Sequence, residues 1–228
     1  SIAGRNILGI ERRAKYILIA LEDGLTWLVH LGMTGRFGHR LEGKHDHVVV
    51  DFVDGTRLVY TDPRRFGVMD LIRPGESHKL LEHLGPEPLG DNWSGAQLHE
   101  SLRNRNISIK SALLNQHIVV GIGNIYASEI LFRSGISPKR LAKNISLVMA
   151  NEIYRQTQHV LLTAIEAGGS TLKDGQFKQL DGDLGYFPHE FAVYDREGEG
   201  CIDPNCVKLV KKLVQSGRST FYCSGCQR

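Results

Sequence analysis

All four cysteines of the 228-residue chain fall in its last stretch, as Cys201-x4-Cys206-x16-Cys223-x2-Cys226. Thiolates in two close pairs suit a tetrahedral Zn²⁺, because each short loop brings two sulfurs to one side of the ion. Two disulfides are the competing reading, and a reducing cytosol weighs against it. Between the pairs, VKLVKKLVQ and RSTFYC have strand composition and flank the tight-turn dipeptide Ser216-Gly217. The stretch reads as a zinc-pinned β-hairpin holding out Arg218, with one structural Zn²⁺ replacing a core too small to fold alone.

A second candidate lies in NQHIVVGIGNIYASEILF. Its glycines permit positive φ and let a nucleic-acid backbone approach main-chain N–H groups closely. Asn124 then falls near the start of the next helix, where the macrodipole favours a phosphate. Such a turn is more often only a turn. It gains weight from Lys110 ahead of it and from the basic clusters ERRAK, DPRRF, RNRN and VKLVKK.

The elements that must carry these residues change character twice along the chain. Up to about Met69, YILIALED, TWLVHLGM, HVVVDFVDG and RLVYTDP are short, β-branched and broken by Asp-Gly or Gly, the pattern of a β-sandwich. EDG and VDG read as hairpin turns. From about Asn92 to Gly168 the apolar spacing is helical, and the long run LVMANEIYRQTQHVLLTAIEAGG stops at Gly168-Gly169. LGPEPLGDN is the natural linker. The predicted organisation is α+β and multidomain: a β-sandwich over 1–88, a helical domain over 89–195 and the zinc finger over 196–228.

Composition bounds the function. With 41% hydrophobic and 23% charged residues and a net charge of +3, this is ordinary globular material and no polycation. No apolar run approaches ~18 residues, and SIAGRNILGI lacks the layout of a signal peptide, so a cytosolic chain away from membranes is expected.

HLGMTGRF, KHDHVVVDF, YTDPRRFGVM, LGPEPLG, IKSALLNQHIVVGIGNIYASEILFRSGISP, GGSTLKD, GYF, VYDREGEGC and GRSTFYCSGCQR occur in one order across nearly the whole chain. Together they resemble the bacterial formamidopyrimidine-DNA glycosylases. The resemblance implies a β-sandwich and a helix–two-turn–helix domain with a zinc finger, clamping damaged double-stranded DNA. It implies excision of oxidised purines such as 8-oxoguanine and formamidopyrimidines, then β/δ-elimination at the abasic site. A monomer in the bacterial cytoplasm, associated with the nucleoid, is expected.

The resemblance also assigns residues. Arg218 grips phosphates beside the lesion and takes part in elimination. Met33, Arg64 and Phe66 enter the duplex and fill the gap left by the extruded base, where flat or flexible apolar groups offset lost stacking. Lys15, in RRAKY, lies near the damaged nucleoside and positions a phosphate or moves a proton. His45, Arg105, Lys110 and Asn124 resemble DNA-backbone or active-site contacts. Glu129 resembles a buried acidic partner in the active site, distinct from the metal ligands. The loop STLKDGQFKQLDGDLGYF is expected to cover the flipped base.

Members of this family begin with a proline whose secondary amine is the nucleophile, followed by a glutamate. The sequence here opens at SIAGRNILGIERRAK, matching the family from the middle of its first domain. The nucleophile is therefore expected outside these residues, either unseen or truly deleted. An enzyme completed by that segment and a non-catalytic damaged-DNA-binding module both fit. A zinc-ribbon RNA binder leaves DPRRFG and VGIGNIY unexplained.

Overall fold

The computed structural model describes residues 2–170 and 191–228. Beyond its first serine, the loop expected to cover the flipped base lies outside these residues. The chain divides into two compact units, one built on residues up to Glu82, the other on His83–Ile165 with the described residues from 191 onward.

The first unit is a β-sandwich. Strands β1 (Ile7–Arg13), β2 (Tyr16–Leu21), β3 (Thr26–His30) and β7 (Val68–Ile72) form one antiparallel sheet in that order. Strands β4 (Arg36–Gly38), β6 (Arg57–Thr61) and β5 (Asp46–Asp51) form the other. Alternate residues Ile17, Ile19 and Leu21 of β2 face inward, as a period of two requires. With Trp27 and Val29 they meet Phe37 and Val50 of the second sheet, which closes the core. The expected EDG turn joins β2 to β3, and Asp54-Gly55 lies between β5 and β6.

Register decides what this scaffold presents. Tyr16 pairs with His30, and His30 with Val68. In the other sheet Thr61 pairs with both Arg36 and Asp46. The turn at Ala14-Lys15 and the segments 31–35, 43–45 and 62–67 consequently emerge at one end of the sandwich.

The second unit holds α1 (Gly95–Leu102), α2 (Ile109–Leu113), α3 (Asn124–Arg133), α4 (Leu147–Glu166) and the hairpin β8 (Val210–Gln215)–β9 (Arg218–Cys223). Ser94 caps α1 by accepting from the Gln97 N–H, and Ser108 caps α2 by accepting from the Ser111 N–H. Residues 84–92, expected as a linker, are bonded into this unit: Gly85 N donates to Gln116 O at 2.7 Å and Val120 N to Pro86 O at 3.1 Å. Ser216 and Gly217, with φ of 49° and 73°, form the two-residue turn at the hairpin tip, which matches the right-handed strand twist. Among the described residues no helix is long and apolar enough to cross a membrane.

Candidate nucleic-acid interface

At one end of the sandwich, large apolar side chains stand in solvent. Met33 is 70% exposed and Phe66 55% exposed. Arg64 lies over the Phe66 ring, 4.9 Å from its centre. Lys15 is exposed on the β1–β2 turn at the same end. Burial, aided by the Lys15 charge, lowers the pKa of His30, whose neutral Nδ1 accepts the Gly32 N–H at 3.1 Å. His45 is half-buried and reaches this end through its backbone, its carbonyl accepting the Asp62 N–H at 3.0 Å.

What holds the two turns was not among the predicted site residues. Asp62 is 1% exposed, and its Oδ1 accepts the Thr34 hydroxyl at 2.6 Å. Its Oδ2 accepts the Gly67 N–H at 2.8 Å and lies 3.2 Å from the Tyr60 hydroxyl. The same hydroxyl lies 3.2 Å from Leu31 O, so one phenolic proton serves both turns. Gly35 and Gly67 make this possible, because a Cβ on either would overlap the Tyr60 ring hydroxyl. The available sequence signal was the Asp-Pro pair in YTDPRRFG, a turn-initiating dipeptide.

The second unit collects another cationic group. Arg218 is exposed at the hairpin tip, and Arg105 is exposed between α1 and α2. Lys110, expected as a DNA-backbone or active-site contact, is 1% exposed. Its ammonium donates to Asn124 Oδ1 at 2.6 Å, Ser219 O at 2.9 Å and Thr220 Oγ1 at 2.7 Å. All three of its hydrogens are thereby used within the protein, so its work is to hold β9. Burial, then the nearby Arg218 charge, pushes its pKa down to about 8. Asn124 sits at the first turn of α3, and its amide donates to Ser219 O at 2.9 Å.

Glu129 is wholly buried, as expected, and its carboxylate has an identifiable task. It accepts the N–H groups of Ala192, Val193 and Tyr194 at 2.8–3.0 Å. Three donors to one carboxylate fix the backbone of residues 192–194 ahead of the finger.

The four cysteines are free thiols whose sulfurs all lie within 4.8 Å of one another. Cys201–Cys226 and Cys206–Cys223 are 3.6 and 3.5 Å apart. That is far beyond a disulfide and near the ~3.8 Å edge of a tetrahedron with ~2.3 Å metal–sulfur bonds. Burial pushes the Cys201 and Cys226 thiols up, a cost that a divalent ion removes by binding thiolates. The donor set therefore fits a metal.

Comparison with known proteins settles the family. The description "Formamidopyrimidine-DNA glycosylase N-terminal domain" matches residues 1–69, and "Formamidopyrimidine-DNA glycosylase H2TH domain" matches residues 84–176. The chain belongs to the formamidopyrimidine-DNA glycosylase family. The formamidopyrimidine-DNA glycosylase of Cereibacter sphaeroides is 48% identical across 100% of this chain and 84% of its own length. The crystal structure of the MutM (Fpg) protein of Thermus thermophilus superposes with a TM-score of 0.91 at 41% identity, covering 98% of this chain and 84% of that one. A Lactococcus lactis Fpg mutant, in complex with DNA containing Fapy-dG, superposes with a TM-score of 0.87 at 30% identity, covering 99% and 83%.

Proposed function

We infer that the chain is a DNA glycosylase and abasic-site lyase of base-excision repair, acting on oxidised purines in duplex DNA. The observation carrying this reading is the exposed Met33–Arg64–Phe66 group on braced turns at one end of the sandwich. Large apolar groups on a rigid base gain nothing from water. Inserted into a duplex, they offset the stacking lost when a base swings out. Lys15 at the same end supplies a cation to place a phosphate or move a proton. In the second unit Arg105, Arg218 and the N-terminus of α3 supply positive ends for the DNA backbone. The Fapy-dG in the Lactococcus lactis complex supports an oxidised purine as the extruded base.

The chemistry begins with attack of a protein amine at C1′ while the base departs with a proton. Breaking the C1′–O4′ bond, with a proton taken up by O4′, opens the sugar to an imine that makes the 2′-proton acidic, and loss of that proton expels the 3′-phosphate. The family resemblance assigns that amine to an N-terminal proline. The finger metal is Zn²⁺, as four thiolates around a closed tetrahedral site favour.

The test is excision on a duplex carrying a single 8-oxoguanine, with protein bearing the N-terminal proline. Base release, strand cleavage and a borohydride-trapped covalent adduct are expected. Tight lesion binding with neither excision nor trapping at an abasic site overturns the enzyme reading and leaves a damage-binding module.

A further inference from the structure

We propose that Asp62 is the positioning residue for the wedge, joining the Met33 turn to the Arg64–Phe66 turn so that the three side chains enter DNA as one rigid group. The inference rests on the wedge reading given above.

Asp62 is bonded in every direction available to it. Its carboxylate accepts from Thr34, Gly67 and Tyr60. Its own N–H donates to His45 O at 3.0 Å, and its carbonyl lies 2.9 Å from His47 Nε2 and accepts the Arg65 N–H at 3.3 Å. Thr34 completes the link. The hydroxyl that donates to Asp62 accepts the Arg64 N–H at 3.3 Å, two residues along from the carboxylate that fixes it. Arg65 takes up a positive φ of 58° in this turn, a conformation that needs outside support in a residue with a Cβ.

An ionised carboxylate is what this arrangement requires. Burial pushes the Asp62 pKa up, but the hydrogen bonds, those from Thr34, Gly67 and Tyr60 above all, outweigh it and hold the group below its ordinary value. An amide has one acceptor oxygen and turns two donors toward groups that already donate. Rigidity matters because forcing a wedge between base pairs costs unstacking energy, and a loose turn returns that energy as its own motion.

The experiment compares Asp62→Asn, Thr34→Val and Thr34→Ser in the full-length protein, using duplexes with and without a tetrahydrofuran abasic analogue. Extrusion is read by 2-aminopurine fluorescence beside the site, and folding by thermal melting. Asp62→Asn and Thr34→Val are expected to reduce the affinity ratio of damaged to undamaged duplex about ten-fold, the weight of one charge-assisted hydrogen bond. Both should lose the fluorescence step while keeping affinity for undamaged DNA. Thr34→Ser keeps the hydroxyl and should restore both. Unchanged discrimination in Thr34→Val overturns the proposal, as does a loss shared equally by undamaged DNA. Thr34→Val also decides the matter if Asp62→Asn does not fold. Met33→Ala with Phe66→Ala separates the two levels: if that pair leaves extrusion intact, the wedge reading falls and this inference with it. If the pair abolishes extrusion while Asp62→Asn and Thr34→Val do not, only the inference about Asp62 falls.

Discussion

The Lys110 ammonium donates to the Thr220 hydroxyl at 2.7 Å, tying α2 to β9 two residues past Arg218. The tie explains how an exposed hairpin tip keeps a fixed direction. Replacing Lys110 with Ala leaves Asn124 Oδ1, Ser219 O and Thr220 Oγ1 without their shared donor in a buried place. Losing hydrogen bonds from a charged group there should cost about 3 kcal/mol of stability. Urea unfolding of the two proteins measures it, and a difference within about 0.5 kcal/mol, typical of surface changes, overturns the assignment.

The same lysine makes stability depend on pH in a set direction. Burial and the Arg218 charge lower its pKa from 10.5 to about 8. Between those values the unfolded chain holds more protons on Lys110 than the folded one, so its contribution to stability rises with pH across that window. The cost of carrying the charge in the buried site is absent above 10.5 and fully felt below about 8, where it offsets part of what the three hydrogen bonds contribute. Stability of the wild type relative to Lys110→Met should therefore increase from pH 8 to 10.5. A constant or falling difference in urea titrations contradicts this.

Much of the molecule could be read from short-range pattern. The Cys201–Cys226 spacing, the Ser216-Gly217 turn and the end of α4 before Gly168 and Gly169, with φ of 68° and 92°, are local features that the chain declares within a few residues. The burial of Lys110 declares itself nowhere nearby. Nothing in IKSALLN marks it as buried, and two of its acceptors lie 109 and 110 residues away. Asp62 finds Thr34 across 28 residues for the same reason. Apolar packing leaves a period in the sequence, whereas the closing of a polar network at long range leaves none.

The finger should depend on its metal. Cys223→Ser removes a fully buried sulfur from the cluster and leaves three thiolates, too few for a closed tetrahedral site. The expected outcome is a fall from one zinc per chain toward zero, with loosening of the hairpin and weaker DNA binding. Zinc content near zero in the unsubstituted protein refutes the metal assignment.

Arg105 should act through the DNA backbone. It is exposed, and its Nε is held by Ser101 O at 2.6 Å, which aims the rest of the guanidinium outward. Neutralising one phosphate changes the slope of log affinity against log salt by about 0.9. Arg105→Ala should flatten the slope by about one contact on damaged and undamaged duplex alike. An unchanged slope removes Arg105 from the interface.

Arg218 separates DNA engagement from metal-supported folding. Its side chain is exposed at the start of β9, while the turn ahead of it is set by Ser216 and Gly217 and the strand behind it by Lys110. Arg218→Ala should therefore leave zinc content and hairpin structure intact. A guanidinium–phosphate hydrogen bond is worth about 1.5–3 kcal/mol, so affinity for a lesion duplex should fall about ten-fold or more. Strand cleavage at an abasic site should slow with it. Arg218→Lys keeps the charge and loses the planar fork, and should fall between the two. Binding constants at one fixed salt concentration, zinc by mass spectrometry and a cleavage time course make the comparison. If affinity and zinc are lost together, the residue serves the finger's fold, and if affinity and cleavage are both unchanged, the hairpin tip does not meet DNA.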